Sequence, residues 1–346
     1  NELVVDGVTV ELDRGGSWTK VRVLNNGVLT APLASDSFAQ GVVVTAERIE
    51  VDATSRIDVS GRGKPRNASV GNYSGGSYGG SGGINSAASN APYGDFREPR
   101  DFGMGGGYSN TNAFTRGGGA IELRTNVLSL DGLIQANGQS LSHYGSGSGG
   151  SLLLHVDEMY LGTEARIEAN GGGGINYSYG GGGGGRVALY YGKVIQGALR
   201  EQIVAKGGTS YYAQPGAAGS VYLKNTIDSA EELVFNNTGI PSNAPMSLLD
   251  LRDDERYVGR ITLISANTKV RGEANHDQFK LVGSQLTRTH VPDGGELLVD
   301  GFTLELSQNS TWSKIRVING GVITTHVASE LFTQGITLKA DEVGVD

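Results

Sequence analysis

The chain has 346 residues, of which 56 are glycine and none is cysteine, and its net charge at pH 7 is −8. This acidic balance argues against a general nucleic-acid binder, which would be basic. The lack of cysteine excludes thiol chemistry, thiolate metal sites and a disulfide-built domain. No apolar run approaches the roughly 20 residues of a membrane helix, so we expect neither nucleic-acid partners nor membrane insertion.

Residues 1–60 predict a β module of short alternating strands, and residues 297–346 predict the start of a second copy. Residues 3–52 align with residues 297–346 at a constant offset of 294, and 23 of the 50 positions are identical. The chain therefore holds one repeat and the opening of the next, as in a tandem array. Four aromatic residues at equivalent places are the expected module interface: Trp18, Trp312, Phe38 and Phe332. Sugar stacking is the alternative role of the two tryptophans.

Residues 61–119 form a long insertion rich in Gly, Ser, Asn and Tyr. Its most unusual part contains Asp95, Glu98 and Asp101 interleaved with arginines. Hard cations prefer carboxylate and carbonyl oxygens, so these three carboxylates are a candidate Ca²⁺ site. Their spacing matches no known calcium loop, and internal ion pairs that hold the loop across the fold are the favoured interpretation. We expect no other cofactor.

Residues 120–225 repeat a unit in which a glycine block precedes a short apolar strand. The strands that begin at residues 120, 151, 186 and 220 start 31, 35 and 34 residues apart. A second motif recurs with a similar spacing along the sequence and ends in glycine, as in Arg166-Ile167-Glu168-Ala169-Asn170-Gly171. A fixed period of this size is typical of solenoids. Glycine at these ends indicates either a positive φ or a close backbone approach.

The glycine-rich loops of this region carry tyrosines, and we expect stacked loops to form one Gly/Tyr surface. Tyrosine on a background of small residues suits adaptable recognition, and surface glycans are possible partners. The alternative is that the rings only cover the glycine backbone. The candidate contact residues are Tyr144, Tyr177, Tyr179, Tyr211 and Tyr212.

Residues 226–296 contain less glycine and more charge, and they predict a small β connector between modules. The complete fold-class prediction is therefore an all-β protein, with a parallel β-helix-like solenoid, long Gly-rich loops and a small β connector domain. Residues 120–225 are the predicted solenoid coils.

The sequence has no P-loop, no HExxH motif, no nucleophile elbow and no Cys/His metal cluster. Asp58 and Glu168 occupy equivalent places in the second motif, and glycosidases use two carboxylates about 5–10 Å apart. The other copies of the motif have Gln135 and Val204 there, so solvated edge charges explain the pair equally well. We expect no enzymatic activity.

Residues 51–63, the glycine runs near residues 75–80 and the Tyr93-Gly94-Asp95 sequence resemble glycine-rich repeats of very large bacterial surface proteins. That family is adhesin-like and has predicted β-helices. The resemblance covers roughly residues 1–225, and it implies secretion and a structural or adhesive role. The expected function is a repeat unit of an extracellular filament or giant surface adhesin, with neighbouring copies of the repeat as partners. A carbohydrate-binding or carbohydrate-cleaving β-helix is the alternative.

Overall fold

A computed structural model gives the structure of the chain. The structure describes residues 1–67, 69–85, 87–108, 115–141, 143–173, 179–210, 213–237, 240, 248–250, 261–264, 269–271, 278–282, 286–287, 296–300, 303–306, 310–318, 322–325 and 337–345.

The described residues form 24 strands and one helix of four residues. The first eleven strands are β1 (Glu2–Asp6), β2 (Thr9–Glu11), β3 (Gly16–Leu24), β4 (Val28–Thr30), β5 (Val42–Val51), β6 (Arg56–Asp58), β7 (Ala120–Leu130), β8 (Leu133–Gln135), β9 (Ser151–Leu161), β10 (Arg166–Glu168) and β11 (Arg186–Gln196). The helix α1 (Leu199–Gln202) follows. The remaining strands are β12 (Ile203–Val204), β13 (Ser220–Asn225), β14 (Glu231–Asn236), β15 (Leu248–Asp250), β16 (Ile261–Ile264), β17 (Lys269–Arg271), β18 (Gln278–Val282), β19 (Leu286–Thr287), β20 (Glu296–Asp300), β21 (Thr303–Leu306), β22 (Ser310–Ile318), β23 (Val322–Thr325) and β24 (Leu338–Val345).

Successive strands alternate between a long sheet and a shorter one. The long sheet has 13 strands in the order β1-β3-β5-β7-β9-β11-β13-β14-β16-β18-β20-β22-β24, and a six-stranded sheet has the order β12-β10-β8-β6-β4-β2. Parallel neighbours need crossover connections. In this chain the crossovers are strands of the other sheet and glycine-rich segments, where α/β-type folds have helices.

The core consists of rows of apolar side chains that run across the strands. In-register parallel pairing places inward-facing residues of successive strands above one another. One row of the six-stranded sheet comprises Leu29, Ile57, Ile134, Ile167 and Ile203. A row of the long sheet comprises Val42, Ile121, Leu152, Val187 and Val221. Both rows belong to one buried cluster, so the two sheets share a core.

The predicted β-helix-like solenoid with Gly-rich loops and a connector domain is wrong. The described strands form separate sheets of mixed direction, because β13 and β14 pair antiparallel within an otherwise parallel long sheet. Strands β14, β16 and β18 of the predicted connector continue that sheet. The glycine-rich segments are largely buried. The fold is mostly β, with alternating parallel sheets and almost no helix. The sequence indicated the strands but not how the glycine segments pack, and that packing decides the architecture.

The two copies of the repeated module pair their strands in the same register. Lys20 lies opposite Arg48 in β3 and β5, and Lys314 lies opposite Glu342 in β22 and β24, at the same offset of 294. The β1–β3 and β20–β22 pairs match in the same way. The predicted domain boundaries themselves stay a prediction.

Candidate functional site

The glycine-rich segments form a bundle in which each segment hydrogen-bonds to several others. In the central segment, residues 180–185, each backbone N–H donates to a carbonyl oxygen of another segment. Residues 180 and 183 donate to residues 73 and 76. Residues 181 and 184 donate to residues 214 and 217, and residues 182 and 185 donate to residues 172 and 169. The partner therefore changes with a period of three. This is the period of the extended polyproline II helix, which has no internal hydrogen bonds. The carbonyl groups of the segment accept from residues 146, 149, 80, 83, 208 and 220.

Close packing explains why these positions are glycine. A Cβ added to Gly182 would lie 1.9 Å from the carbonyl oxygen of Gly147, and one added to Gly147 would lie 1.9 Å from that of Arg116. Neither glycine has a positive φ, whereas Gly61, which ends the first copy of the strand motif, has a φ of +65°. Of the two roles that the sequence left open for glycine, close backbone approach applies in the bundle and positive φ applies at Gly61.

One end of the bundle carries a cluster of four half-buried tyrosines, which we call the tyrosine end: Tyr73, Tyr108, Tyr144 and Tyr179. The ring centroids of Tyr108 and Tyr144 are 4.7 Å apart, those of Tyr73 and Tyr179 are 5.2 Å apart, and those of Tyr73 and Tyr108 are 5.4 Å apart. The exposed His143 lies at the edge of the cluster, with its ring 6.2 Å from that of Tyr179. Each tyrosine stands beside a glycine segment, so the bundle brings together rings that are distant in sequence.

The backbone around the tyrosine end is held in an uncommon conformation. Tyr73 and His143 have φ angles of 59° and 71°, which are rare for residues with a side chain. The guanidinium of Arg66 donates to the carbonyl oxygen of Tyr108 at 2.6 Å and to the side chain of Asn72 at 3.0 Å. The Arg66 contacts hold the backbone beside Tyr73 and at Tyr108 in place.

Of the predicted contact residues, Tyr144 and Tyr179 lie in this cluster. Tyr177, Tyr211 and Tyr212 lie outside the described residues. The sequence analysis missed Tyr73, Tyr108 and His143. Tyr73 and Tyr108 lie within two residues of a glycine, as Tyr144 does, so the sequence marked them as glycine-segment tyrosines but gave no signal for which rings meet.

The segment 93–102 crosses the outer face of the long sheet, and we call it the strap. Phe96 and Phe102 of the strap are 1% and 4% exposed, and the ring of Phe96 packs edge-on against Tyr222 of β13 at 5.3 Å. Beneath the strap, the fully buried Arg186 donates to the carbonyl oxygen of Tyr93 at 2.9 Å and to Ser220 Oγ at 3.0 Å. The strap thus buries a sheet face that would otherwise be exposed.

The structure places the three candidate calcium ligands in separate interactions. Asp95 accepts hydrogen bonds from the backbone N–H groups of Arg97 and Glu98. Glu98 pairs with Arg100 at 2.8 Å, and Arg100 also contacts Glu122 of β7. Within the described part of the chain, no group of three or more His, Asp or Glu side chains is arranged to hold a metal ion. The ion pairs tie the strap to the sheet, as the favoured interpretation of this charged loop requires.

Asp101 of the strap lies close to the buried Tyr78. Its backbone carbonyl oxygen accepts a hydrogen bond from Ser151 Oγ, and Ser151 also shares a hydrogen bond of 2.7 Å with the Tyr78 hydroxyl. Burial raises the pKa of the Tyr78 phenol well above its usual range, although Arg186 acts in the opposite direction. Tyr78 therefore stays a neutral hydrogen-bonding group and is unsuited to acid–base chemistry near neutral pH.

His155 lies at the edge of the strap, in an environment that disfavours its charged form. Its ring stacks on Tyr190 at 4.6 Å with an interplanar angle of 6°. Burial lowers the pKa of the imidazole, and the positive charges of Arg124 and Arg100 add to this, while Glu98 and Glu122 oppose it. His155 is therefore a neutral stacking residue at neutral pH.

The candidate acid pair lies on alternate strands of the six-stranded sheet. Asp58 and Glu168 lie opposite Gln135 from its two sides, so their Cα atoms are about 9.6 Å apart from two strand spacings. Asp58 pairs with Arg56 at 3.2 Å, and Glu168 accepts from the Gln135 amide at 3.3 Å. Both carboxylates have structural partners, and the absence of enzymatic activity stays a prediction.

The predicted module-interface residues differ between the two copies. Trp312 is 2% exposed, whereas Trp18, at the equivalent place, is only half-buried. Phe38 is partly buried against the core, and Phe332 lies outside the described residues.

Comparison of the chain with models of protein families, with curated proteins and with solved structures gave no match. In the part of the chain that the structure describes, no helix is long and apolar enough to cross a membrane.

Proposed function

We propose that the chain is a structural repeat unit of an extracellular filament or giant surface adhesin. Tandem copies of the repeat extend one continuous β-sheet, and many copies along a polymer give multivalent attachment. The extracellular location rests on the resemblance given above.

The main support is the identical strand register in the two copies of the module. Strand β20 is equivalent to β1, and it extends the long sheet by pairing with β18. A sequence that repeats with the same register can add further copies without changing any contact within a copy. In an array, we expect the preceding copy to cover the Trp18 equivalent, which is half-buried here, as fully as Trp312, which is 2% exposed.

The proposal predicts a length for each repeat. One repeat contributes ten strands to the long sheet, from β1 to β18, in the described residues. At a spacing of about 4.8 Å per strand, each repeat lengthens the sheet by about 48 Å.

The test compares the natural chain with a chain in which residues 1–294 precede residues 1–346. Electron microscopy should show rods that are about 48 Å longer, and the length should not change on dilution. Two compact particles joined by a linker, with no increase in rod length, would contradict the proposal. The same images in EDTA test the Ca²⁺ prediction.

Tryptophan fluorescence gives a second readout that does not depend on imaging. The natural chain has two tryptophans, Trp18 and Trp312, and the extended chain has a second copy of Trp18. In the extended chain, replacing the first Trp18 and Trp312 with Phe leaves only the Trp18 equivalent at the internal junction. Acrylamide quenching of this tryptophan should fall to the level of Trp312. Quenching as strong as that of Trp18 in the natural chain would show that the junction does not cover it.

A further inference from the structure

The tyrosine end suits chemistry between its rings better than stacking on a sugar. A stacking platform needs open ring faces, but the rings of Tyr108 and Tyr144 are tilted by only 36° at a centroid distance of 4.7 Å. Those of Tyr73 and Tyr179 are tilted by 31° at 5.2 Å. In each pair the ring faces are turned largely towards each other.

The chain has no cysteine, so no disulfide can join the segments of the bundle. Tyrosine is the other residue type whose side chains readily couple under oxidation. The Tyr108–Tyr144 and Tyr73–Tyr179 pairs each connect a segment of the insertion, residues 61–119, with a later segment of the bundle.

We propose that the tyrosine end is a site of oxidative cross-linking, at which Tyr108 couples to Tyr144 and Tyr73 couples to Tyr179 as dityrosine. The oxidant is of the haem peroxidase class acting with hydrogen peroxide. Each phenol loses one electron and its hydroxyl proton, and the two radicals form a carbon–carbon bond between the ring positions ortho to the oxygens. The proton on each coupled carbon then returns to a phenolate oxygen through water, which restores both phenols. One hydrogen peroxide accepts the two electrons and two protons and becomes two water molecules.

His143 is positioned to assist one of the two couplings. The Tyr179 hydroxyl donates to His143 Nδ1 across 3.5 Å when that nitrogen carries no proton. The imidazole can therefore accept the phenol proton as the electron leaves. Tyr108 and Tyr144 have no histidine among their ring contacts in the described residues.

Two other close tyrosine pairs serve as internal controls. The rings of Tyr78 and Tyr93 are 4.9 Å apart, and those of Tyr190 and Tyr222 are 5.7 Å apart. Tyr78 and Tyr222 are 0% and 1% exposed under the strap, so an enzymatic oxidant cannot reach them. If ring distance alone decides the reaction, these two pairs should also cross-link. If the oxidant must also reach the rings, cross-links should form only at the tyrosine end.

The test treats the dilute, folded full-length chain with a haem peroxidase and hydrogen peroxide. Peptide mass spectrometry should find two intramolecular cross-links, Tyr108 to Tyr144 and Tyr73 to Tyr179, each with the loss of two hydrogen atoms. Blue dityrosine fluorescence should appear, and the unfolding midpoint should rise because the links close long loops. Links that are mainly intermolecular, or that join these four residues to Tyr177, Tyr211 or Tyr212, would overturn the pairing.

Conservative variants separate the pairing from a general effect on folding. Tyr144→Phe should remove the Tyr108 link and leave the Tyr73–Tyr179 link, with an unchanged circular dichroism spectrum. His143→Ala should slow only the Tyr73–Tyr179 link, and Tyr160→Phe should change neither. Equal loss of both links in Tyr144→Phe, or the same products from the urea-unfolded chain, would show that the fold does not direct the reaction. This inference does not depend on the proposed tandem array.

Discussion

Adding one methyl group to a glycine of the bundle tests whether close packing, and not backbone conformation, requires glycine there. Gly147 is the chosen position, because its φ is not in the left-handed region and a Cβ would lie 1.9 Å from the carbonyl oxygen of Arg116. Where the backbone is unstrained, Gly→Ala stabilises a protein by about 0.4–1 kcal/mol through the unfolded state. Simple propensity therefore predicts a gain in stability for Gly147→Ala, whereas the packing predicts a loss.

The size of the loss follows from the contacts of Gly147. To bring the new methyl to an ordinary contact distance, the neighbouring segment must move by more than 1 Å from the present 1.9 Å. Overpacking of this kind costs about 1–3 kcal/mol. The movement also weakens the hydrogen bonds that Gly147 makes with Gln139 and Gly172, at 3.0 and 2.8 Å, each of which contributes about 1 kcal/mol. After the entropic gain is subtracted, we expect a net destabilisation of about 2–4 kcal/mol.

The adjacent Ser146 offers a matched control in the same segment. Its Oγ is buried and, among the described residues, makes no hydrogen bond. Ser146→Ala adds no atom and removes a buried polar group, so it should be neutral or stabilise the chain by up to about 1 kcal/mol. The assay is urea unfolding of both variants, followed by circular dichroism. If Gly147→Ala lowers the free energy of unfolding no more than Ser146→Ala does, close packing is not the reason for glycine.

Three further predictions concern the core, the strand ends and the strap. Ile167→Ala removes a 0% exposed side chain from the core row of the six-stranded sheet and should cost about 2–5 kcal/mol in urea unfolding. Val343→Ala, at 63% exposure, is the control and should change the free energy of unfolding by less than about 0.5 kcal/mol. Similar losses in the two variants would contradict the described core. Asn137→Ala removes the acceptor of the Asn170 N–H at 2.7 Å and should cost about 1–3 kcal/mol in the same assay. Asn137→Asp keeps this acceptor but replaces the amide that donates to Glu168 at 3.4 Å with a second carboxylate, so it should recover only part of the loss. The folded-state pKa of His155 lies below its unfolded value of about 6.5, so protonation of His155 favours the unfolded chain, and the stability that the neutral imidazole contributes is lost as the pH falls from about 6.5 through the folded pKa. His155→Phe keeps the stack on Tyr190 and should make the free energy of unfolding less dependent on pH in this range. An unchanged pH profile would exclude His155 as the source of the acid loss.

The strands were largely predictable because their signals are local. The alternation of apolar and polar residues in segments such as 121–124 and 166–168 depends only on the period of two of a β-strand. The repeat of residues 3–52 at 297–346 was visible as sequence identity, and the register of the described strands follows it. The ion pairs of Arg100 were also anticipated from the alternating charges of the strap.

The candidate site was only partly predictable. Tyr144 and Tyr179 were singled out by their place in glycine-rich sequence, but nothing local indicates that Tyr73 and Tyr108 lie beside them. These contacts depend on which bundle segments are neighbours. Arg186 presented a similar difficulty, because its burial comes from the strap, a segment about 90 residues earlier in the chain.

The sequence by itself determined where strands begin, which of their faces are apolar and that one module recurs, since each of these depends on side chains at fixed short spacings. Only the tertiary structure decided how the glycine segments pack. A segment with three residues per turn directs its N–H groups in three directions, and residues 180–185 thereby join segments near residues 73, 172 and 214. Glycine has no side chain that could identify these partners, so the sequence of a glycine-rich segment fits every possible neighbouring segment equally well. Packing of all the segments together selects one arrangement, and with it the position of the tyrosine end.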